Sequence, residues 1–106
     1  MKLHKDLTSE RWYRFNIIEQ MANVGAEIGR TINWRKKDSQ LSKAAFYRGL
    51  ELLDLTITDP KNKKRLKELC RARELAVDYF DGDNYYHSSD KFWQSYFYAF
   101  NYAARL

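Results

Sequence analysis

The chain has 106 residues, 44% of them hydrophobic and 31% charged, with a formal net charge of +5. That describes one globular domain rather than a disordered segment, long enough to bury roughly 65% of the unfolded chain's surface. One proline and four glycines are too few punctuating residues for an all-β fold, and a lone cysteine, Cys70, excludes an internal disulfide and suits a reducing cytosol.

The pattern predicts four helices in a single domain over residues 1–106, an all-α, antiparallel up-down-up-down four-helix bundle. Residues 1–7 are expected to be flexible. They hold no apolar run of the kind a signal peptide needs, and no stretch nears the ~18 apolar residues of a membrane span, so a cytoplasmic protein without membrane contact is expected. The first helix is predicted over residues 9–35. Thr8 or Ser9 caps it, and Phe15, Ile18, Ala22, Gly25, Gly29 and Ile32 recur on one face. Its Gly25-x-x-x-Gly29 step admits a bulky neighbour, which the last helix can supply. The second helix is predicted over residues 39–57, with Leu41, Ala45, Leu52, Leu53 and Leu55 inward. Asp59-Pro60 starts the third, a capping carboxylate followed by proline in the first helical position. Its inner stripe is read as Leu66, Leu69, Cys70, Ala76, Val77 and Phe80, with Cys70 a buried thiol. Asp81-Gly82-Asp83-Asn84 breaks it, and Ser88 or Ser89 with Asp90 starts the last helix, which runs nearly to Leu106.

Seven of the eleven residues from Phe92 to Tyr102 are aromatic. Phe92, Trp93, Tyr96, Phe97 and Phe100 fall within an arc of about 140° and form a core face. Tyr98 and Tyr102 make an i, i+4 pair on another side, free to meet a second subunit or a ligand.

Charge is concentrated in the third helix. Residues 61–73 hold seven bases, Lys61, Lys63, Lys64, Arg65, Lys67, Arg71 and Arg73, against the single acid Glu68, a net of +6. The remaining twelve bases and thirteen acids leave −1 elsewhere. Lys61 to Arg65 fall in the first turns, where the helix dipole disfavours positive charge by about 0.3–1 kcal/mol per group. An anionic partner, RNA or DNA, explains bases kept there, and the bland alternative is a solvated face that aids solubility. The acids Asp78, Asp81, Asp83 and Asp90 are placed at the same end as Arg35, Lys36, Lys37 and Lys43, for internal pairing or a contact between subunits.

Two arginines fall inside apolar arcs, Arg48 on the second helix and Arg73 on the third. With Glu19 at a similar height they define a candidate buried polar layer, since a buried guanidinium must be paired. Its functional version is an arginine-lined anion site. The alternative has both side chains snorkelling to the bundle's edge.

Catalytic patterns are sparse. His4 and His87 have no histidine at helical spacing, so zinc-hydrolase and di-iron chemistry have no ligand set, and no metal or cofactor is expected. The pairs Glu51-x-x-Asp54 and Glu74-x-x-x-Asp78 resemble the carboxylates of all-α nucleotide pyrophosphohydrolases, but the Glu-x-x-Glu on another helix is missing. The spacing of Asp81-Gly82-Asp83-Asn84 does not fit an EF-hand.

The plan of a short, basic, four-helix chain resembles the small prokaryotic bundle proteins encoded in ribosomal-RNA intervening sequences and those accessory to diversity-generating retroelements. That resemblance rests on architecture and charge across the chain and implies oligomerisation and association with RNA. The Ser-Ile-Pro-type turn of the intervening-sequence proteins is absent. Runs such as Leu50-Glu51-Leu52-Leu53-Asp54-Leu55-Thr56 and Tyr96-Phe97-Tyr98-Ala99-Phe100 look like those of uncharacterised bacterial proteins. The Arg-x4–6-His motif of the helical ribonucleases is missing too. The expectation is a non-enzymatic bundle that meets nucleic acid through Lys61, Lys63, Lys64, Arg65, Lys67 and Arg71. A homo-oligomeric interaction module built on Tyr98 and Tyr102 is the alternative, and a small enzyme with an anion site the third reading.

Overall fold

The first helical stripe is not one helix. In the computed structural model, which describes residues 8–106, a short helix α1 (Ser9–Trp12) ends and the chain restarts as α2 (Ile17–Trp34). The predicted flexibility of residues 1–7 lies outside the described residues, as does His4. The break comes from a reciprocal cap. Glu19 N donates to the Asn16 side chain at 2.9 Å, and Asn16 N donates to the Glu19 carboxylate at 3.0 Å. Two otherwise orphaned amides are satisfied at once, which stabilises a helix start there over continuation through residues 13–16.

The next boundaries follow their local signals. Asp38 accepts from Gln40 N and Leu41 N and caps α3 (Ser39–Thr58). Asp59 accepts from Lys61 N, and Pro60 opens a 3₁₀ segment (Pro60–Arg65) that feeds α4 (Leu66–Asp81). Ser89 accepts from Phe92 N and caps α5 (Asp90–Ala104). The 3₁₀ start corrects the single third helix, because Lys61 to Arg65 precede α4 proper instead of occupying its first turn. The four predicted helices are thus five helices and a 3₁₀ segment among the described residues, with no strand there.

Helix α2 is central, packing α3 along one side and α5 along another, while α4 rests mainly on α3. Partners run in opposite order along each packed pair. Ser42 hydroxyl meets Thr31 carbonyl, Arg48 meets Glu27, and Gln20 meets Asp59 across α2 and the α3 side. Arg73 reaches Asp54, and the Phe46 and Phe80 rings lie 5.3 Å apart, across α3 and α4. Arg35 reaches Asp90, and Gly25 abuts Phe97, across α2 and α5. The core joins Trp12, Met21, Val24, Ile28, Phe46, Leu52, Leu53, Leu69, Ala76, Trp93 and Phe97, where burying each large side chain contributes about 1.5–3 kcal/mol.

The two glycines of α2 differ. A Cβ at Gly25 would stand 2.8 Å from the Phe97 Cβ, so this position admits the aromatic helix as expected, whereas a Cβ at Gly29 meets nothing within 4 Å. Other inward expectations fail. Cys70 is exposed, as are Leu41 and Leu66 at 44% and 42%. Helix α4 buries only Leu69, Ala72 and Ala76. Leu66 and Cys70 project about 60–100° away from Leu69, beyond the strip that contacts α3.

Candidate nucleic-acid interface

Six bases were expected to face a polyanion, and the structure separates one of them from the rest. Lys61 is turned back on its own fold, its ammonium donating to the Asp59 carboxylate and to the Tyr13 carbonyl. Asp59 is almost fully buried and also accepts from Gln20 Nε2 at 2.8 Å. Burial acts to raise its pKa, but the hydrogen bonds from Lys61 and Gln20 and the Lys61 charge outweigh it and hold the carboxyl below its ordinary value. Lys61 therefore closes the joint between α3 and the 3₁₀ segment, with its side chain still about half exposed.

Lys63, Lys64, Arg65, Lys67 and Arg71 are all exposed. Only Arg65 has an ion-pair partner among the described residues, Glu68 at 4.0 Å with both side chains more than half exposed, a geometry worth little in water. Lys67 and Arg71 lie one turn apart on the same face of α4, and Lys63 and Lys64 extend the basic stretch backwards.

Tyr98 and Tyr102 are 66% and 57% exposed, with rings stacked at 6.3 Å and 27°. The core face of α5 is as drawn for Trp93 and Phe97, which are buried, but Phe92 is 46% exposed. Between residues 92 and 104 the helix carries no charged side chain.

The polar layer of Glu19, Arg48 and Arg73 does not assemble. Glu19 is exposed and occupied in the cap of α2. Arg48 Nε donates to Glu27 at 3.1 Å, and Glu27 is the buried carboxylate of α2, also held by Arg30 at 2.8 Å. Arg73 Nε donates to Asp54 at 2.6 Å at the surface, where that hydrogen bond raises the guanidinium's pKa. The layer fails because the helix starting at Asn16 puts Glu19 at its end, and because each arginine finds a nearer acid.

The acidic end is likewise simpler than expected. Of its four bases only Arg35 pairs with one of the four acids, Asp90, at 3.4 Å. Arg35 also stacks over the Tyr79 ring at 4.6 Å, and Tyr79 hydroxyl donates to Asp90 at 2.7 Å. Burial, then that hydrogen bond, raises the Tyr79 pKa. Asp78 instead accepts from the Tyr85 and Tyr86 amides and shapes the loop, in which Asn84 and His87 take left-handed backbones with φ of 55° and 57°.

Sequence reasoning missed the polar network at the foot of α2. Trp12 Nε1 donates to Thr56 hydroxyl at 3.0 Å, and Asn62 Nδ2 donates to Gln20 Oε1 at 2.8 Å and to Thr56 carbonyl at 3.0 Å. Gln20, Thr56, Asp59 and Asn62 are all buried. The available signal was Gln20 itself, a polar residue one position from Met21 within an apolar stripe. Among the described residues no three His, Cys, Asp or Glu side chains gather as metal ligands would, and no helix is long and apolar enough to cross a membrane.

No protein-family model matches the chain, and no curated protein or solved structure matches it.

Proposed function

We propose that the protein is an up-down-up-down antiparallel four-helix bundle, with α1 as an appendage, that acts in the cytosol by association rather than catalysis. Its partner is nucleic acid, held by the phosphate backbone through Lys63, Lys64, Arg65, Lys67 and Arg71. One observation carries this reading. Lys63, Lys64, Lys67 and Arg71 stand exposed in one stretch with no ion-pair partner among the described residues, and Arg65 beside them meets Glu68 only at 4.0 Å in the open, whereas Arg30, Arg35, Arg48, Lys61 and Arg73 are each held closer to an acid. Exposed bases grouped along one stretch supply the counterion-releasing contacts that non-specific binding needs. The resemblance to RNA-associated bundle proteins agrees with it.

The second reading, a homo-oligomer, is favoured by the exposed and stacked Tyr98 and Tyr102 on an uncharged helix, since interfaces are rich in tyrosine and poor in charge. The anion-site reading has lost its support, because Arg48 and Arg73 serve different carboxylates.

The test is titration of a labelled single-stranded oligonucleotide at several salt concentrations. The logarithm of affinity should fall linearly with the logarithm of salt, by about 0.7 per phosphate contacted. Changing Lys63, Lys64 and Lys67 together to glutamine should flatten the slope by about two units and leave the melting temperature unchanged. No binding at ~50 mM salt rejects the function.

A further inference from the structure

Helices α4 and α5 touch where Tyr79 meets Asp90 and where the Phe80 and Trp93 rings lie 6.0 Å apart. Beyond that end a groove of about 130 Å³ runs between them, close in size to the ~150 Å³ cavity known to hold a benzene ring. Ala72 and Leu75 of α4 and Trp93 of α5 give it apolar walls, and Phe92 and Tyr96 give it a ring pair. Those two rings are near parallel, at 16° and 6.3 Å. They also line a second, more open depression with Ser89, Lys91 and Ser95.

Polar groups are present in the lining as well. Glu68 and Arg71 belong to the groove's lining, one an acceptor and one a donor. Trp93 Nε1 and Tyr96 hydroxyl are buried and have no hydrogen-bond partner among the described residues, although both side chains line the groove. Buried polar atoms left unpaired lower stability, so such atoms call for an explanation. Burial, and then the Glu68 carboxylate, raise the Tyr96 pKa, so its hydroxyl keeps its proton and stays a donor at neutral pH.

The groove thus has apolar and aromatic walls and hydrogen-bonding groups of both signs, with Arg71 as the base in its lining beside the acid Glu68, Lys67 one turn before Arg71 on α4, and Lys91 in the adjoining depression. An occupant must be planar, polar at its edge and attached to negative charge. We propose that the α4–α5 groove receives an unstacked base of single-stranded nucleic acid, which lies against Phe92 and Tyr96 while its phosphates meet Lys67 and Arg71. This rests on the phosphate-binding reading above and sharpens it to single strands, because the bases of a duplex are stacked and have no free face.

The experiment compares a short single-stranded oligonucleotide with an abasic strand of equal length, which keeps the phosphates and lacks the rings. The base-bearing strand should bind about tenfold more tightly, as stacking of one base allows, and both should show the same salt slope. Phe92→Ala, at a half-exposed position, should remove the tenfold advantage without changing that slope. Tyr96→Phe, which keeps the ring, should remove part of it, with folding of both variants checked by circular dichroism. Equal affinity for the two strands overturns the groove assignment and leaves the phosphate reading standing. No binding of either strand at ~50 mM salt overturns both. If Phe92→Ala converts a dimer of the free protein to monomer and leaves the tenfold advantage intact, a second copy occupies the groove and the inference fails.

Discussion

At the foot of α2, Gln20, Thr56, Asp59 and Asn62 are buried, and every one of them is hydrogen-bonded to another part of the protein. Between α4 and α5, Trp93 Nε1 and Tyr96 hydroxyl are just as buried and have no such partner among the described residues. The first region ties α1, α2, α3 and the 3₁₀ segment into one joint. In the second, polar capacity is carried without being used by the fold. Buried polar groups that satisfy one another stabilise a unique arrangement, whereas unsatisfied ones lower stability. The same contrast divides the bases, since Lys61 serves the joint and its neighbours Lys63, Lys64 and Lys67 serve nothing inside the described chain.

The largest expected effect lies in the joint. Asp59→Ala removes a buried carboxylate that receives hydrogen bonds from Gln20 and Lys61, and should destabilise by about 3 kcal/mol in denaturant melts. A loss under about 1 kcal/mol would erase the contrast between the regions. The same group sets a pH dependence. Its folded pKa lies below the ordinary value, so its contribution is fully present above about pH 4 and disappears as pH falls through the folded value. Asp59→Asn should flatten that acid limb of the stability curve.

Gly25→Ala comes next. Its methyl would press on Phe97, and displacing α5 should cost about 1–3 kcal/mol. Gly29→Ala, in open space, should instead stabilise by about 0.5–1 kcal/mol, because alanine is the better mid-helix residue. Equal melting temperatures for the two variants would contradict the packing of α5 on α2. In the groove, Tyr96→Phe deletes an unpaired hydroxyl, so thermal stability should be unchanged or raised by up to about 1 kcal/mol. A clear loss would mean that the hydroxyl has a structural partner. The smallest effect belongs to Arg73→Ala, where a surface pair with Asp54 is broken and the loss should stay within about 1 kcal/mol. A loss of 3 kcal/mol would revive the buried layer.

Much of the fold was legible because its boundaries are written in local chemistry. Asp38, Asp59-Pro60 and Ser89 each satisfy amides that the next element leaves open, and a reader of the sequence can find them. The break at residues 13–16 was hidden because Trp12, Phe15 and Ile18 keep a helical period across it. Asn16 and Glu19 do carry the capping-box spacing, but glutamate inside an apolar stripe reads equally as an edge residue. The basic stretch was visible as composition. What Lys61 does was not, because its partners are Asp59 and a carbonyl 48 residues away. The groove was invisible for a related reason. An apolar stripe shows that a face is covered, not by how many neighbours, and α4 turned out to be covered mainly by α3.

That limited cover gives α4 a particular place in the molecule's hierarchy of motions. Helix α2 contributes seven buried residues and is flanked on two sides, whereas α4 contributes three. Fewer fully buried residues on a helix lower the free energy needed for it to open locally. If a polyanion pins α4, it favours the docked state of that helix through mass action, tying it more firmly to the cooperative unit formed by the rest.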